Sequence, residues 1–222
     1  MDIVEAIQKR QSIRAFKPDP VPLETLKKII SLALWAPSWA NTQPWEFVIV
    51  TGNKLKEIQD GFLNRGETEA VSELGRPFEF PEPYASRIRS LIAKERTFMS
   101  EAEFKGRTTR NFYHYGAPAC IYLLVQKNFV YQSKGVNVWP VFDCGLAVEN
   151  LMLLATSYGL GTVAQAQAVV YPDIIRKALP IPEEQLLALG IAIGYPDMDA
   201  PRNKFRSDRV PLEKMAMFYG FE

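Results

Sequence analysis

Three polar side chains follow the first helical pattern of the chain, in the sequence RQSIRAF. If the chain leaves that helix after Arg10, alternation in an extended segment directs Arg10, Ser12 and Arg14 to one side. Two guanidinium groups and a hydroxyl on one side suit a phosphate or another planar anion. A solvated basic turn is the simpler alternative, and these three residues alone do not exclude it.

A second basic segment, NKFRSDRVP, follows a strand pattern that ends in GYP near the C-terminus. It carries Lys204, Arg206 and Arg209. Basic loops are common on protein surfaces, but this chain has 26 Lys and Arg residues against 25 Asp and Glu residues. A net charge of +1 does not indicate nucleic acid or a membrane surface as a partner. Two basic loops in so nearly neutral a chain therefore suggest that both contact one anion.

The sequence APSWANTQPW joins a helical pattern to a strand pattern and carries more polar side chains than a plain connector needs. Ser38, Asn41 and Gln43 offer a hydroxyl and two amides, while Pro37 and Pro44 stiffen the backbone. Such a loop can orient a polar planar ligand with little loss of entropy on binding. Alternatively, its side chains satisfy its own backbone, as they do in Asx and Ser turns.

The composition limits the class of protein. The 222 residues, 47% of them hydrophobic, fit one globular domain with a substantial core. Cys120 and Cys144 lie in apolar runs, so we expect small buried hydrophobes and not a disulfide or a metal pair. With no signal-peptide pattern and no apolar run near the roughly 20 residues that span a bilayer, we expect a cytoplasmic protein without a membrane segment. His114 is the only histidine, which argues against catalytic triads and favours a structural or gating role.

Helical and strand patterns alternate along the chain, which indicates a single α+β or α/β domain over residues 1–222. Predicted helices cover residues 2–9, 22–36, 51–62, 141–159 and 172–179, with a further helix after the basic tail. Predicted strands cover residues 45–50, 119–126, 162–170 and 187–195.

Residues 64–104 are the least regular part of the sequence. The segment is too long for an ordinary connection, so it is either a disordered linker or a lid over a site. Phe78, Phe80, Tyr84 and Phe98 argue against disorder. We therefore expect a helical segment that covers a site.

The motifs RQSIRAF, APSWANTQPWEFVIV, GLGT and GYP, in this order and spacing, resemble those of the FMN-dependent nitroreductase family. The resemblance covers residues 1–212, and RNFYHYGAPACIYLL with WPVFDCGLAVENLMLLA is similar to the branch that includes nitrobenzoate reductases. It implies an α+β fold with a central, mostly antiparallel sheet flanked by helices. It also implies an intertwined homodimer with the long helices in the interface and two FMN sites, each built from both subunits.

The resemblance also assigns roles to the two basic segments. The FMN phosphate and ribityl chain would contact Arg10, Gln11, Ser12 and Arg209, with Arg206 as the alternative tail residue. Arg14 would face the N1/O2 edge of the flavin, where a cation stabilises the negative charge of the reduced ring.

The rest of the implied site comes from two other segments. The partner subunit would contribute Pro37, Ser38, Trp39, Asn41 and Gln43. The backbone of Ala164, Gln165 and Ala166 would lie along the N5 side of the flavin.

Two features depart from the family pattern. VAQAQ stands where many members have a proline and an acidic residue after the GLGT turn, so contacts there would use backbone groups, or Gln165 or Gln167. The asparagine that other members place against the pyrimidine edge should come from the variable middle region, and the motifs do not identify it.

Members of the family use NADH or NADPH to reduce FMN and then pass the electrons to an acceptor in the same pocket, a ping-pong mechanism. The resemblance therefore implies reduction of nitroaromatics, quinones or similar small aromatic acceptors, with the flavin carrying the chemistry. A reductive dehalogenase or flavin-modifying enzyme of the same fold, or a flavin-binding module without turnover, are the alternatives. No motif separates NADH from NADPH, because the chain lacks the G-x-G-x-x-G turn.

Overall fold

The computed structural model describes residues 1–75 and 79–221. Strands β1 Trp45–Thr51, β2 Ala119–Gln126, β5 Gly161–Gln165 and β6 Gln185–Gly194 form one antiparallel sheet in the order β1-β2-β6-β5. Strands β3 Tyr131–Gln132 and β4 Gly135–Val136 pair separately. The helices are α1 Ile3–Lys9, α2 Leu23–Ala33, α3 Gly52–Leu63, α4 Tyr84–Arg96, α5 Glu101–Lys105, α6 Arg107–Phe112, α7 Lys127–Val130, α8 Trp139–Ser157, α9 Pro172–Ala178 and α10 Pro201–Lys204.

The sheet is covered by helices on both faces because its central strand is apolar at nearly every position. Along β2, Ile121 and Leu123 point into a cluster with α2 and α8, while Cys120 and Tyr122 point into a second cluster with α3 and α9. Every pair of neighbouring strands is antiparallel. The expected α+β architecture is therefore confirmed, and both cysteines are buried free thiols as predicted.

Helix α1 begins and ends where its local sequence predicts. The Asp2 side chain accepts a hydrogen bond from the backbone N–H of Glu5 at 2.8 Å, which caps the first turn. The chain leaves the helix at Arg10, whose backbone is no longer helical. The RQSIRAF segment is thus released from α1 at the residue that the sequence predicted.

Helix α8 runs between the two ends of the sheet and buries Asp143, Cys144 and Leu151 against the core. Gly159 follows its last turn, and the positive φ of 76° at this glycine lets Leu160 donate to the Ala155 carbonyl at 2.9 Å. The helix predicted over 141–159 is therefore present, with bounds shifted by two residues. Among the residues that the structure describes, no helix combines the length and apolar character that crossing a membrane requires.

The structure corrects two predicted elements. The strand predicted over 162–170 ends at Gln165, because Ala166–Val169 turns as a 3-10 helix and packs Ala168 against Gly190 of β6. The helix predicted after the basic tail is absent from the described residues, where only a 3-10 turn, Leu212–Lys214, forms. Its apolar side chains are exposed, and a helix without packing partners gains little stability.

The irregular segment 64–104 contains α4 and most of α5. Helix α4 has no buried residue, so it lies on the surface of the core and is not part of it. Of the aromatic residues that favoured a covering segment, Phe98 packs edge-on against Phe205 at 5.6 Å between ring centroids. Pro77 and Phe78 lie outside the described residues.

Candidate functional site

The RQSIRAF segment lies along the free edge of β5. Ser12 bridges Thr162 in parallel, and the backbone N–H of Ile13 donates to the Thr162 carbonyl at 2.9 Å. Ile13 points inward over Gly161, where an added Cβ would lie 2.5 Å from Ile13 Cγ1. Because Ile13 points inward, Ser12 and its alternate neighbours face the other way, as the predicted extended geometry requires.

Asn203 of α10 joins this segment to the tail. Its Oδ1 accepts from the backbone N–H of Arg14 at 2.7 Å, and its Nδ2 donates to the carbonyls of Ala15 and Asp197 at 2.8 and 2.7 Å. Its own carbonyl accepts from Gln11 Nε2 at 2.8 Å. The side chain is 1% exposed with all its polar atoms bonded. The sequence offered no signal for this role, because an asparagine in a polar tail is unremarkable.

The two basic segments converge on one pocket of about 450 Å³, called here the basic pocket. Its lining residues are Ile7, Gln8, Arg10, Gln11, Ser12, Arg14, Leu91, Phe205, Arg206, Ser207 and Arg209. Four of these are arginines and none is acidic. Two carboxylates lie beside its arginines: Glu149 Oε1 is 3.6 Å from Arg10 Nε, and Glu95 Oε1 is 3.9 Å from Arg14 Nε. Such a pocket attracts anions, and guanidinium groups fit phosphate oxygens.

The tail arginines are both placed at the basic pocket, as the sequence predicted for one or the other. Arg206 donates to the backbone carbonyl of Gln8, which fixes its position against α1. Arg209 donates to the Ser207 hydroxyl at 2.8 Å. Neither forms an ion pair among the described residues, so both can face an anion.

A second pocket of about 230 Å³ adjoins the first through Arg14, which lines both. This arginine pocket is lined by Arg14, Glu95, Met99, Arg107, Thr108, Arg110, Asn111, Tyr115, Gln167 and Arg202. Arg14 Nε lies 3.9 Å from Glu95 Oε1 of α4, so the irregular segment supplies one wall. Burial raises the pKa of Tyr115, and the positive charge of Arg14 partly opposes that shift. The ring of Tyr115 therefore remains neutral at physiological pH.

The strand end that the sequence singled out lies beside the arginine pocket. Ala164 and Ala166 are exposed, whereas Gln165 is buried and points inward. Gln165 Nε2 donates to the backbone carbonyl and to Oδ1 of Asn111, at 3.0 and 2.5 Å. The Gln165 side chain therefore supports Asn111 and does not face the pocket, while Gln167 does line it.

The loop APSWANTQPW lines neither pocket of its own chain. Its backbone is strained, since Ala40, Asn41 and Gln43 have φ of 46°, 61° and 46°. Such conformations cost about 1 kcal/mol or more each for residues other than glycine, and they cluster at functional sites. Pro37, Asn41 and Gln43 are exposed to solvent.

Three contacts hold the loop in this shape. Asp143, which is buried in α8, accepts from the backbone N–H of Trp39 at 2.9 Å. The Trp39 and Trp139 rings pack edge-on with centroids 4.8 Å apart. Within the loop, Ser38 Oγ accepts from the backbone N–H of Gln43 at 3.0 Å. One side chain of the loop thus satisfies a backbone group of the loop, as one alternative held, and α8 fixes the loop through Asp143 and Trp139.

His114 takes no part in either pocket. It is fully buried, 3.4 Å from the Tyr122 hydroxyl and 3.5 Å from Gln59 Nε2. Burial lowers its pKa from 6.5 to about 4, so the ring is neutral at physiological pH. This is the structural role that the sequence favoured.

The structure has an antiparallel sheet whose edge strand carries an N-terminal basic segment opposite a basic tail. This is the arrangement expected of the FMN-dependent nitroreductase class. A model of the Nitroreductase family matches residues 7–195, and the chain belongs to this family. It is 28% identical over 226 residues to a chloronitrobenzene nitroreductase of Comamonas testosteroni, covering 97% of this chain and 96% of that one. It is 27% identical over 231 residues to a 4-nitrobenzoate reductase of Pseudomonas putida, covering 100% and 97%.

Its fold is also similar to that of a solved relative. The structure of the FMN-dependent nitroreductase NfnB of Mycobacterium smegmatis in complex with NADPH superposes with a TM-score of 0.87 at 27% identity. The match covers 99% of this chain and 100% of that one. The match to the 4-nitrobenzoate reductase confirms the likeness to the nitrobenzoate-reductase branch that the sequence indicated.

Proposed function

We propose that this protein is an FMN-dependent oxidoreductase that uses NADH or NADPH to reduce nitroaromatics, quinones or similar small aromatic acceptors by a ping-pong mechanism. One observation carries the proposal: basic segments from the two ends of the chain line one anion pocket, which Arg14 joins to a second polar pocket. The nitroreductases to which the chain is similar include one described as FMN-dependent and complexed with NADPH. They favour this function over a dehalogenase or a flavin-binding module without turnover.

The residues present fit FMN. Arg10, Gln11 and Ser12, with Arg206 and Arg209, would hold the phosphate and the ribityl chain in the basic pocket. When bound, FMN would supply reversible acceptance of a hydride and its delivery to an acceptor. The chain's own part is to bind the phosphate with charge-assisted hydrogen bonds and to exclude water from the ring.

Arg14 is the residue that we place at the N1/O2 edge of the ring. Asn203 fixes its backbone, and its Nε already lies 3.9 Å from Glu95 Oε1 in the pocket, so little reorganisation is needed when negative charge appears there. Asn111 lies in the same pocket and is itself oriented by Gln165. We assign Asn111 as the asparagine of the pyrimidine edge, which the motifs did not identify. The exposed backbone of Ala164 and Ala166, with Gln167, would run along the N5 side.

We also propose that the protein is a homodimer. Apolar side chains of α1, α2 and α8 are exposed together, and Trp35 at the end of α2 is 85% exposed. A pocket of about 400 Å³ between these helices is lined largely by apolar groups, including Ile3, Leu32 and Leu154. Exposed apolar patches of this kind mark interaction surfaces. A second copy would cover them and would bring the projecting APSWANTQPW loop to its partner's flavin.

The segment 64–104 fits the role of a lid within one domain of residues 1–222. Leu91 of α4 lines the basic pocket, and Lys94 Nζ lies 2.5 Å from Asp208 Oδ1 in the tail. Glu95 and Met99 line the arginine pocket. Because α4 is held by polar contacts and has no buried residue, it can move without disturbing the core.

Two buried free thiols suit a reducing compartment, and we propose that the protein is cytoplasmic.

The first experiment is an absorption spectrum of the purified protein, followed by NADH and NADPH oxidation with nitroaromatics and quinones. We expect a yellow protein that oxidises at least one nicotinamide in the presence of an acceptor. Arg209→Ala should weaken FMN binding about tenfold or more, since it removes charge-assisted hydrogen bonds to the phosphate. Arg89→Ala, which removes an exposed arginine of α4, should not. Protein that takes up no FMN would overturn the proposal.

A second experiment tests the loop. Asp143→Leu removes the carboxylate that holds Trp39, so it should weaken FMN binding. Asp143→Asn keeps an acceptor oxygen and should weaken FMN binding less.

The mass of the holoenzyme in solution should be that of two chains. A stable monomer with tightly bound FMN would show that the loop does not serve a partner's site.

A further inference from the structure

The arginine pocket contains more positive charge than its carboxylates neutralise. Among its four arginines, Arg14 faces Glu95, and Arg202 pairs with Glu103 at 3.0 Å. Arg107 and Arg110 form no ion pair within the described part of the chain. Two guanidinium charges are therefore left over in a pocket of about 230 Å³.

These charges are costly to place together. Burial lowers the pKa of Arg110 and the neighbouring positive charge of Arg202 lowers it further, while the negative charge of Glu103 opposes only part of that shift. Arg110 donates to the backbone carbonyl of Glu103, which fixes its direction without neutralising it. The Nε of Arg202 is buried without a partner among the described residues. A half-buried guanidinium without a carboxylate partner is costly, so the charge of Arg110 points to a ligand that compensates it.

Arg107 stands at the mouth of the pocket and is held in position. Its guanidinium carbon lies 4.0 Å from the centre of the Phe104 ring, and its Nη1 donates to the Phe104 carbonyl at 3.1 Å. Arg107 is exposed and Arg110, in the same pocket, is half-buried. An anion that enters from solvent would therefore meet Arg107 first and Arg110 further in. A pre-positioned guanidinium loses little entropy when it binds an anion.

We propose that Arg107 and Arg110 bind an oxyanion, a carboxylate or a phosphate, carried by one of the two reactants of the enzyme. The proposal rests on the proposed function, because Arg14 in the same pocket is the residue placed at the flavin edge. A planar carboxylate matches the fork of a guanidinium in bidentate fashion, and a phosphate does so equally well. The subsite therefore selects a charged reactant over its neutral counterpart.

Two reactants can carry such a group: an aromatic acceptor with a ring carboxylate, and a nicotinamide nucleotide with an additional phosphate. The relatives do not decide between charged and neutral acceptors, since their names include both nitrobenzoate and chloronitrobenzene. In this chain, the described residues of the pocket leave positive charge unpaired. That charge favours a reactant that carries a negative group.

The test compares charged and neutral partners of equal shape on the holoenzyme. One pair is 4-nitrobenzoate against 4-nitrobenzamide at fixed NADH, and the other is NADPH against NADH at fixed 4-nitrobenzamide. Binding without turnover is followed by the change in flavin absorption on titration with benzoate or benzamide. The variants are Arg107→Gln and Arg110→Gln, with Arg89→Gln as a matched control from an exposed helix.

We expect the wild type to favour the charged member of one pair about tenfold or more in kcat/KM, and the variants to remove most of that preference. Loss of the nitrobenzoate preference, with weaker benzoate binding, assigns the anion to the acceptor. Loss of the NADPH preference alone assigns it to the nucleotide phosphate. If neither pair shows a preference in the wild type, or if both variants leave every preference unchanged, the proposal is wrong.

Two precautions keep the result interpretable. If Arg110→Gln does not fold, Arg107→Gln carries the test, because Arg107 is exposed and its loss leaves no buried group unpaired. Failure of the proposed function itself looks different: the protein would lack bound flavin or would not reduce 4-nitrobenzamide with NADH at all.

Discussion

The side chain of Asn203 accepts a hydrogen bond from the backbone N–H of Arg14 at 2.7 Å. The same amide donates to the carbonyls of Ala15 and Asp197. The buried Asn203 side chain therefore links Arg14, the residue proposed for the flavin edge, to Asp197 in the segment that leads into the tail. Loss of this amide would loosen both sides of the basic pocket at once.

Asn203→Ala should lower the free energy of unfolding by about 2–3 kcal/mol, because it leaves the part-buried N–H of Arg14 and the carbonyl of Asp197 unpaired. It should also weaken FMN binding, since the Arg14 segment and the tail are no longer fixed to each other. Urea denaturation and a fluorescence titration with FMN measure the two effects. Asn53→Ala, at an exposed position of α3, is the control and should change neither. Equal effects of both variants would mean that Asn203 has no such role.

The close approach of Gly161 to Ile13 sets the position of the RQSIRAF segment. In Gly161→Ala the new Cβ would lie 2.5 Å from Ile13 Cγ1, so the segment must move away from β5. We expect a loss of about 1–3 kcal/mol in stability from overpacking, and weaker FMN binding. Adding Ile13→Ala should restore part of the binding, so the double variant binds better than Gly161→Ala alone. Gly75→Ala, where an added Cβ meets nothing within 4 Å, is the control.

The sequence predicted those parts of the site that depend on local geometry. Alternation alone directed Arg10, Ser12 and Arg14 to one side, because an extended segment has a period of two, and the inward Ile13 agrees with that. The Asp2 cap and the end of α8 at Gly159 also follow from nearby residues. The convergence of two basic segments on one pocket was expected from their charge in a nearly neutral chain, and the structure shows it.

The remaining features depend on contacts between distant parts of the chain. Asp143 holds Trp39, and Gln165 orients Asn111, across separations at which no sequence pattern operates. The tail helix was predicted wrongly because periodicity reports an apolar stripe but not whether anything in the same chain covers it. The early end of β5 likewise depends on packing against β6.

The ion pair between Glu73 and Arg176 attaches the beginning of the irregular segment to the core. Arg176 Nη2 lies 2.8 and 3.0 Å from the two Glu73 oxygens, and Oε2 also accepts from the backbone N–H of Leu187 at 2.6 Å. Glu73→Ala should cost about 2–3 kcal/mol, because it removes the only carboxylate that the described residues place beside a largely buried guanidinium and leaves a strand N–H unpaired. Limited proteolysis near residue 73 should become faster in the same variant.

A double-mutant cycle separates this pair from an ordinary surface pair. Glu73→Ala and Arg176→Ala should show a coupling energy above about 1 kcal/mol, since the two residues share one network. The exposed pair of Lys56 and Asp60 on α3, 2.8 Å apart, should couple by less than about 0.5 kcal/mol. Equal coupling in both cycles would show that the segment is not anchored by Glu73.

His114 should make the protein less stable as the pH falls below neutrality. Burial lowers its pKa from 6.5 to about 4, so between these values the unfolded chain binds a proton that the folded chain does not. The free energy of unfolding therefore rises with pH in this window. The part of it that depends on a neutral His114 is fully present above pH 6.5 and is lost towards pH 4. The loss amounts to about 2 kcal/mol at pH 5 and about 3 kcal/mol at pH 4.

Other groups titrate in the same window, so a variant isolates the effect of His114. His114→Asn suits the left-handed backbone of this position, where φ is 51°, and removes the titrating group. The stability difference between wild type and variant, from urea denaturation, should therefore shrink by about 2 kcal/mol between pH 7 and pH 5. Because the chain has one histidine, its imidazole gives a single set of NMR signals whose titration midpoint should lie near 4. A midpoint near 6.5 in the folded protein would mean that the ring reaches water.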